Sequence, residues 1–289
     1  MPSRTNEAPN EWSDSADIVS RFLALQQIYS AKELDTYLQS RQHTEKDASD
    51  SESRPVDVVV LCASAILAIP EAVFEWAVQQ QNHPETRKRN TVLVLCGGIG
   101  PCTPFVYDAV QASKKYCRIF DAINGKPEGQ VLKAMAERFY KLRINEAKEN
   151  EGDGFRILVS DRSTNCGADA SDARKVLEGH GIYSPRSMVV VQDPAMSSRT
   201  VSAFEVVYND MDTNISSWPQ LKDSQKGKHQ AGQKNQRQLW SMDRFLERIM
   251  GEQSGLPKNI KTNASIDIPN EVEDAWSTVM DKDSLKASY

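Results

Sequence analysis

Short Val-rich runs at Val56–Cys62, Thr91–Cys96 and Ser187–Val191, and a run of branched apolar residues at Phe155–Ser160, alternate with longer stretches of helical periodicity, and this alternation constrains the fold more than any other feature. Apart from Asp57, the first run is apolar throughout. Strands with no polar alternation are strands covered on both faces, because neither side has to meet solvent. Helical patterns lie between and after them at Glu71–Gln80, Phe105–Ser113, Glu128–Leu142, Asp169–Leu177 and Met196–Val207. A β-α alternation of this kind predicts a mostly parallel sheet flanked by helices, a Rossmann-like α/β domain spanning 56–212.

The flanks carry further helical signals. In Ala16–Tyr29 the residues Ile18, Phe22, Leu25 and Tyr29 recur at helical spacing, and Ser30-Ala-Lys-Glu33 is a capping-box signature for a second helix through Leu38. These define N-terminal helices within 1–41, followed by a polar linker over 42–55. Lys222–Arg237 holds five Lys or Arg against one Asp. It reads as a solvated, basic, Gln-rich loop within 213–239. Trp240–Met250 and Pro269–Met280 return to amphipathic helix, placing a C-terminal helical part at 240–289 that packs on the α/β domain through Phe245, Ile249, Val272, Trp276 and Val279.

Composition narrows the function classes. Lys plus Arg number 35 and Asp plus Glu 40, so the net charge of −5 supplies no electrostatic reason to expect nucleic acid or an anionic membrane surface. The longest mostly apolar stretch, Val56–Ile69, is too short to span a bilayer and contains Asp57 and Ser64. The N-terminus lacks a signal-peptide layout, so a cytoplasmic protein without a membrane anchor is expected. The five cysteines, Cys62, Cys96, Cys102, Cys117 and Cys166, lack CxxC spacing, and the four histidines form no HExxH. Reduced thiols and no metal site are the expectation.

Functional signals gather where strands hand over to helices. Thr91–Cys96 runs into Gly97-Gly-Ile-Gly-Pro-Cys-Thr103, in which Gly97, Gly98 and Gly100 let backbone N–H groups approach a ligand with no Cβ in the way. The spacing is neither GxGxxG nor a P-loop, and a tight structural turn explains it equally well. Thr103 before Pro104 also fits a helix N-cap. Asp161-Arg-Ser-Thr-Asn-Cys-Gly167 places Ser163, Thr164 and Asn165 at a helix N-terminus, where they cap the helix or face a hydrogen-bonding ligand. Glu128 opens another helix, where a carboxylate favours the dipole. Gln192 and Asp193 follow the last apolar run, and Arg199 lies about a turn beyond as a fixed cation for a carboxylate or phosphate, or as a partner of Asp193. In a parallel sheet, loops following several strands gather at one edge, so Ser64 with Ala63, the glycine loop, Ser163–Cys166 and Gln192-Asp193 can line one crevice. Their convergence favours ligand binding over capping at Ser163–Asn165. Cys166 lacks a sequence-placed base and reads as an unreactive thiol, while Ser64 and Ser163 lack the GxSxG elbow of a serine hydrolase.

Gly97-Gly-Ile-Gly100 with Thr103, Glu128, Asp161-Arg-Ser-Thr-Asn165 and Gln192-Asp193 with Arg199 resemble the domain-of-unknown-function family typified by YdcF, SanA and ElyC. The resemblance extends to Ser163-Thr-Asn-Cys-Gly167, Val191-Gln-Asp-Pro194, Met242-Asp-Arg-Phe-Leu246 and Ile268-Pro to Ala275-Trp276. It implies a Rossmann-like domain with an added helical part and, for YdcF-like proteins, binding of S-adenosyl-L-methionine, with no established reaction. The envelope role linked to SanA and ElyC relatives transfers poorly, since their membrane anchor is not expected here. Two positions depart from the pattern: Ala168-Asp169 stands where the family usually has Glu-Asn, and Ala63 where a Gly is common. Nor does the chain follow the usual methyltransferase arrangement, since its glycines follow the second strand.

The leading expectation is therefore a protein that binds a small molecule, S-adenosyl-L-methionine or a related nucleotide-like metabolite, at the C-terminal edge of the sheet. Its binding residues would be Ser64, Gly97, Gly98, Gly100, Thr103, Glu128, Ser163, Thr164, Asn165, Gln192, Asp193 and Arg199. One alternative is a transferase or hydrolase acting on a phosphate-containing or lipid-linked substrate, with Glu128 or Asp161 as general base. Another is a non-catalytic interaction protein using the basic loop, with partners unknown.

Overall fold

The computed structural model describes residues 11–43, 55–82, 90–144, 154–219 and 269–286. Five strands form one sheet: β1 (Asp57–Cys62), β2 (Thr91–Cys96), β3 (Phe155–Ser160), β4 (Ser187–Val191) and β5 (Asn214–Ser217). Every neighbouring pair is parallel, and the order is β3-β2-β1-β4-β5. The fold is thus an α/β Rossmann-like one. The chain winds outward from β1 through β2 to β3, then returns to the other side of β1 for β4 and β5. The winding reverses at the C-terminal ends of β1 and β4, the switch point at which open α/β sheets place their ligand crevice.

Side chains alternate between two buried faces. Val59, Leu61, Leu93, Leu95, Ile157 and Val189 pack against α2 (Ala31–His43), α3 (Ala68–Asn82), α4 (Thr103–Ala112) and α6 (Glu128–Tyr140) through residues such as Leu34, Trp76, Val106 and Met135. A 3-10 turn at Cys117–Ile119 and the short α5 (Phe120–Ile123) belong to the same layer. Val58, Val60, Cys62, Val92, Val94, Cys96, Leu158 and Val190 face α7 (Cys166–Gly179) and α8 (Ser197–Val207), meeting Ala170, Ala173, Leu177 and Phe204. Each fully buried Leu, Val or Phe contributes about 1.5–3 kcal/mol. A single acid interrupts the apolar β1: Asp57 is buried, paired with Arg186, whose Nε donates at 3.0 Å, and accepts from Ser187 Oγ at 2.6 Å.

A smaller third cluster joins α1 (Glu11–Ala24) and α9 (Asn270–Lys286). Val19 and Ala275 meet Ala195 in the loop after β4, with Ile18 and Trp276 packed alongside. The terminal helices thus lie against the loop that borders the crevice.

Three departures from the sequence reading have a clear physical cause. The first helix stops at Ala24 instead of continuing to Tyr29, and Leu25 takes φ +45°. The cause is tertiary: Gln27 and Ile28 N–H both donate to Ser217 O, at 3.3 and 3.0 Å, and Ser217 N–H donates to Gln27 Oε1 at 2.8 Å. Second, Ser217 ends β5, which extends the sheet past the expected boundary at 212 into the segment read as loop. Third, α3 begins at Ala68, before the expected Glu71, because Pro70 needs no N–H partner in a first helical turn. The capping box forms in modified shape, with Glu33 N–H donating to Ser30 Oγ and Glu33 Oε2 accepting from Tyr29 N–H at 2.8 Å. Residues 44–54 of the linker, the basic stretch Lys222–Arg237 and the helix expected at Trp240–Met250 lie outside the described residues. Among the described residues no helix is long and apolar enough to cross a membrane.

Candidate functional site

The loops after β1, β2, β3 and β4 form a continuous row along the C-terminal edge of the sheet. In-register pairing of Cys62 with Cys96 and of Cys96 with Ser160 brings the first three loops level. Ala63 N–H donates to Cys96 O at 3.0 Å, and Gly97 N–H to Ser160 O at 2.9 Å. Across the switch point, Ser64 Oγ donates to Asp193 Oδ2 at 3.4 Å, linking the loops after β1 and β4.

The glycines of the loop are held by internal hydrogen bonds, while Ile99 and Pro101 beside them are exposed. Gly97 N–H is taken by Ser160, Gly98 N–H donates to Ser163 Oγ at 2.7 Å, and Gly100 N–H donates to Thr103 Oγ1 at 2.8 Å. Its carbonyls hold the start of α6, with Glu128 N–H on Gly98 O at 2.9 Å and Gly129 N–H on Gly97 O at 2.6 Å. A Cβ at Gly98 would fall 1.6 Å from Ser163 O, and Gly97 sits at φ +148° with Glu128 and Ala63 against it. Close approach here is to the protein's own backbone. The N–H groups that were expected to face a ligand are already satisfied internally.

Glu128 is the acid this packing sets at the rim. It is half-buried; its Oε1 accepts from Thr103 Oγ1 at 2.8 Å, and Oε2 lies against Gly97 Cα, 2.9 Å from where a Cβ would stand. The carboxylate therefore sits where the loops after β1 and β2 begin. Asp193 is buried more deeply: Oδ1 accepts from Ala195 N–H at 2.9 Å, and Gln192 Oε1 accepts from Asp193 N–H at 2.6 Å. Arg199 stands half-buried in the first turn of α8.

Asn165 is the N-cap of α7, its Oδ1 accepting from Ala168 N–H at 3.0 Å, and both Asn165 and Thr164 are exposed. Asp161, the other base considered, accepts from Gln130 Nε2 at 2.7 Å. The structure thus brings Ser64, Gly97, Gly98, Gly100, Thr103, Glu128, Ser163, Gln192 and Asp193 into one bonded row. Thr164 and Asn165 lie on its exposed flank.

Sequence reading missed the acids of α7. Asp172 accepts from Ser160 Oγ at 2.6 Å and from Arg162 N–H at 3.0 Å, fixing the loop after β3. Asp169, noted only as a departure from a pattern, is buried beneath the glycine loop. Burial pushes its carboxyl up to about 6; hydrogen bonds from Ser163 and Cys96 oppose the rise and the Asp172 charge adds to it. The spacing Ser160, Asp169, Asp172 carried the signal, since an acid on the apolar stripe of a helix must have a partner. No known protein-family model matches the chain.

Proposed function

We propose that the protein binds S-adenosyl-L-methionine, or a related nucleotide-like metabolite carrying positive charge and ribose hydroxyls, in the crevice at the C-terminal edge of the sheet, as its resemblance to YdcF-like proteins implies. The observation that carries this reading is the Glu128 carboxylate beside Gly97 and Ala63, with Asp193 on the opposite side of the switch point. A carboxylate accepts well from ribose hydroxyls or an amino group and favours a sulfonium nearby. Phosphate fits less well. The N–H groups of Gly97, Gly98 and Gly100 and those of the first turn of α6 are consumed internally, so they do not form the cradle a phosphate uses. Arg199 is the group assigned to the ligand's carboxylate.

Calorimetric titration with S-adenosyl-L-methionine, S-adenosylhomocysteine and ATP tests the reading. S-adenosyl-L-methionine should bind more tightly than its neutral thioether analogue, and ATP least. Glu128→Gln, which keeps the Thr103 contact, should weaken binding about 10-fold or more, the value of one hydrogen bond to a charged group. Absence of heat with S-adenosyl-L-methionine at millimolar concentration, or an unchanged affinity in Glu128→Gln, overturns it.

A further inference from the structure

Directly behind the crevice, the last residues of β1 and β2 are both cysteines. Cys62 and Cys96 pair in register on the face covered by α7, and the Asp169 carboxylate reaches them from the first turn of that helix. The two sulfurs and a carboxylate oxygen of Asp169 lie within 4.8 Å of one another, and all three residues are buried. Cys96 Sγ also lies 3.8 Å from Ser160 Oγ and 3.7 Å from Asp169 O.

We propose that Cys62, Cys96 and Asp169 form a buried Zn2+ site that ties the ends of β1 and β2 to α7. Two thiolates and a carboxylate are ligands this ion accepts, and thiolates select it over Mg2+ or Ca2+. Their separation needs only a small contraction around an ion with Zn–S near ~2.3 Å and Zn–O near ~2.0–2.2 Å. Three protein ligands leave the fourth tetrahedral position to a non-protein group.

A redox pair has the opposite character, exposed where these two thiols are buried. Burial also implies that the ion enters as the chain folds. The site lies behind the crevice and does not depend on what the crevice binds.

The test uses the full chain, unfolded in chelator and refolded with Zn2+ or with Co2+ as a spectroscopic probe. The expected result is one metal ion per chain by elemental analysis and a near-ultraviolet thiolate-to-cobalt charge-transfer band. The band should disappear in Cys62→Ala and in Cys96→Ala, both of which preserve a small apolar core residue. Asp169→Asn, near-isosteric, should keep the band shifted and weaken Zn2+ affinity about 10-fold or more in competition with a chelating indicator. The proposal is overturned if the refolded wild-type chain holds no Zn2+ above a dialysis blank. It is equally overturned if the Cys62→Ala/Cys96→Ala double variant retains the wild-type amount, or if the band depends instead on Cys102 or Cys117.

Discussion

Asp57 is the lone acid in an otherwise apolar strand, and its two partners come from the start of β4, Arg186 and Ser187. Its carboxylate fixes β1 against β4 at the switch point. Asp57→Ala should destabilise the fold by about 3–5 kcal/mol, because the mostly buried Arg186 loses its counter-charge; the shift is read as a lower midpoint in urea. The glycines divide just as sharply. Gly98→Ala drives a methyl group into the Ser163 backbone and should cost more than about 4 kcal/mol or prevent folding, as measured by circular dichroism and thermal melting. Gly179→Ala, near the end of α7 with open space around it, should be neutral or raise stability by up to about 1 kcal/mol. Both glycines look alike in the sequence. That Gly97, Gly98 and Gly100 matter was legible from their position after a strand. That they receive α6, Ser163 and Thr164 rather than present open N–H groups was not, because the segments that crowd them are distant in the chain.

At the level of elements, periodicity located four of the five strands, since each carries a short run of branched apolar residues, buried throughout in β1, β2 and β4 and in part in the edge strand β3. β5 escaped because Asn214-Ile-Ser-Ser217 is an edge strand whose Ser and Asn side chains bond to Tyr37 and Leu25 instead of filling a core. The same edge explains why α1 stops early: its helical spacing continues to Tyr29, but pairing of residues 27 and 28 with Ser217 outweighs a last turn of helix. Asn165 shows how a motif can be located and its role left divided. Its Oδ1 caps α7, so Asn165→Ala should cost about 1 kcal/mol in thermal or urea unfolding, and Asn165→Asp should restore most of it. Whether the exposed amide also meets the proposed ligand is decided separately, by the titration of Asn165→Asp. A binding role predicts weaker affinity with stability preserved, and a pure cap predicts no change.

Across the whole molecule, the chain's two terminal helices meet where the winding of the sheet reverses. α1 and α9 are distant in sequence, yet Val19 and Ala275 close on Ala195, two residues after the Asp193 that bonds Ser64 across the crevice. This cluster is small beside the two cores that line the sheet, and it shares no residue with them. The terminal helices should therefore open as a unit at lower free energy than the α/β core. Ala275→Asp places a carboxylate into this apolar cluster, at more than about 2 kcal/mol if it stays buried. Relief comes by detachment of α9 and α1 rather than by unfolding of the sheet. Hydrogen exchange followed by mass spectrometry should then show faster exchange across residues 14–24 and 270–286 and in the loop around Ala195, with β1, β2 and β4 as protected as before. Uniform acceleration through the strands would mean that the terminal helices and the sheet form one cooperative unit. Detachment confined to the helices would also change the affinity of the proposed ligand, because Ala195 N–H holds the carboxylate of Asp193, one of the two acids assigned to that ligand.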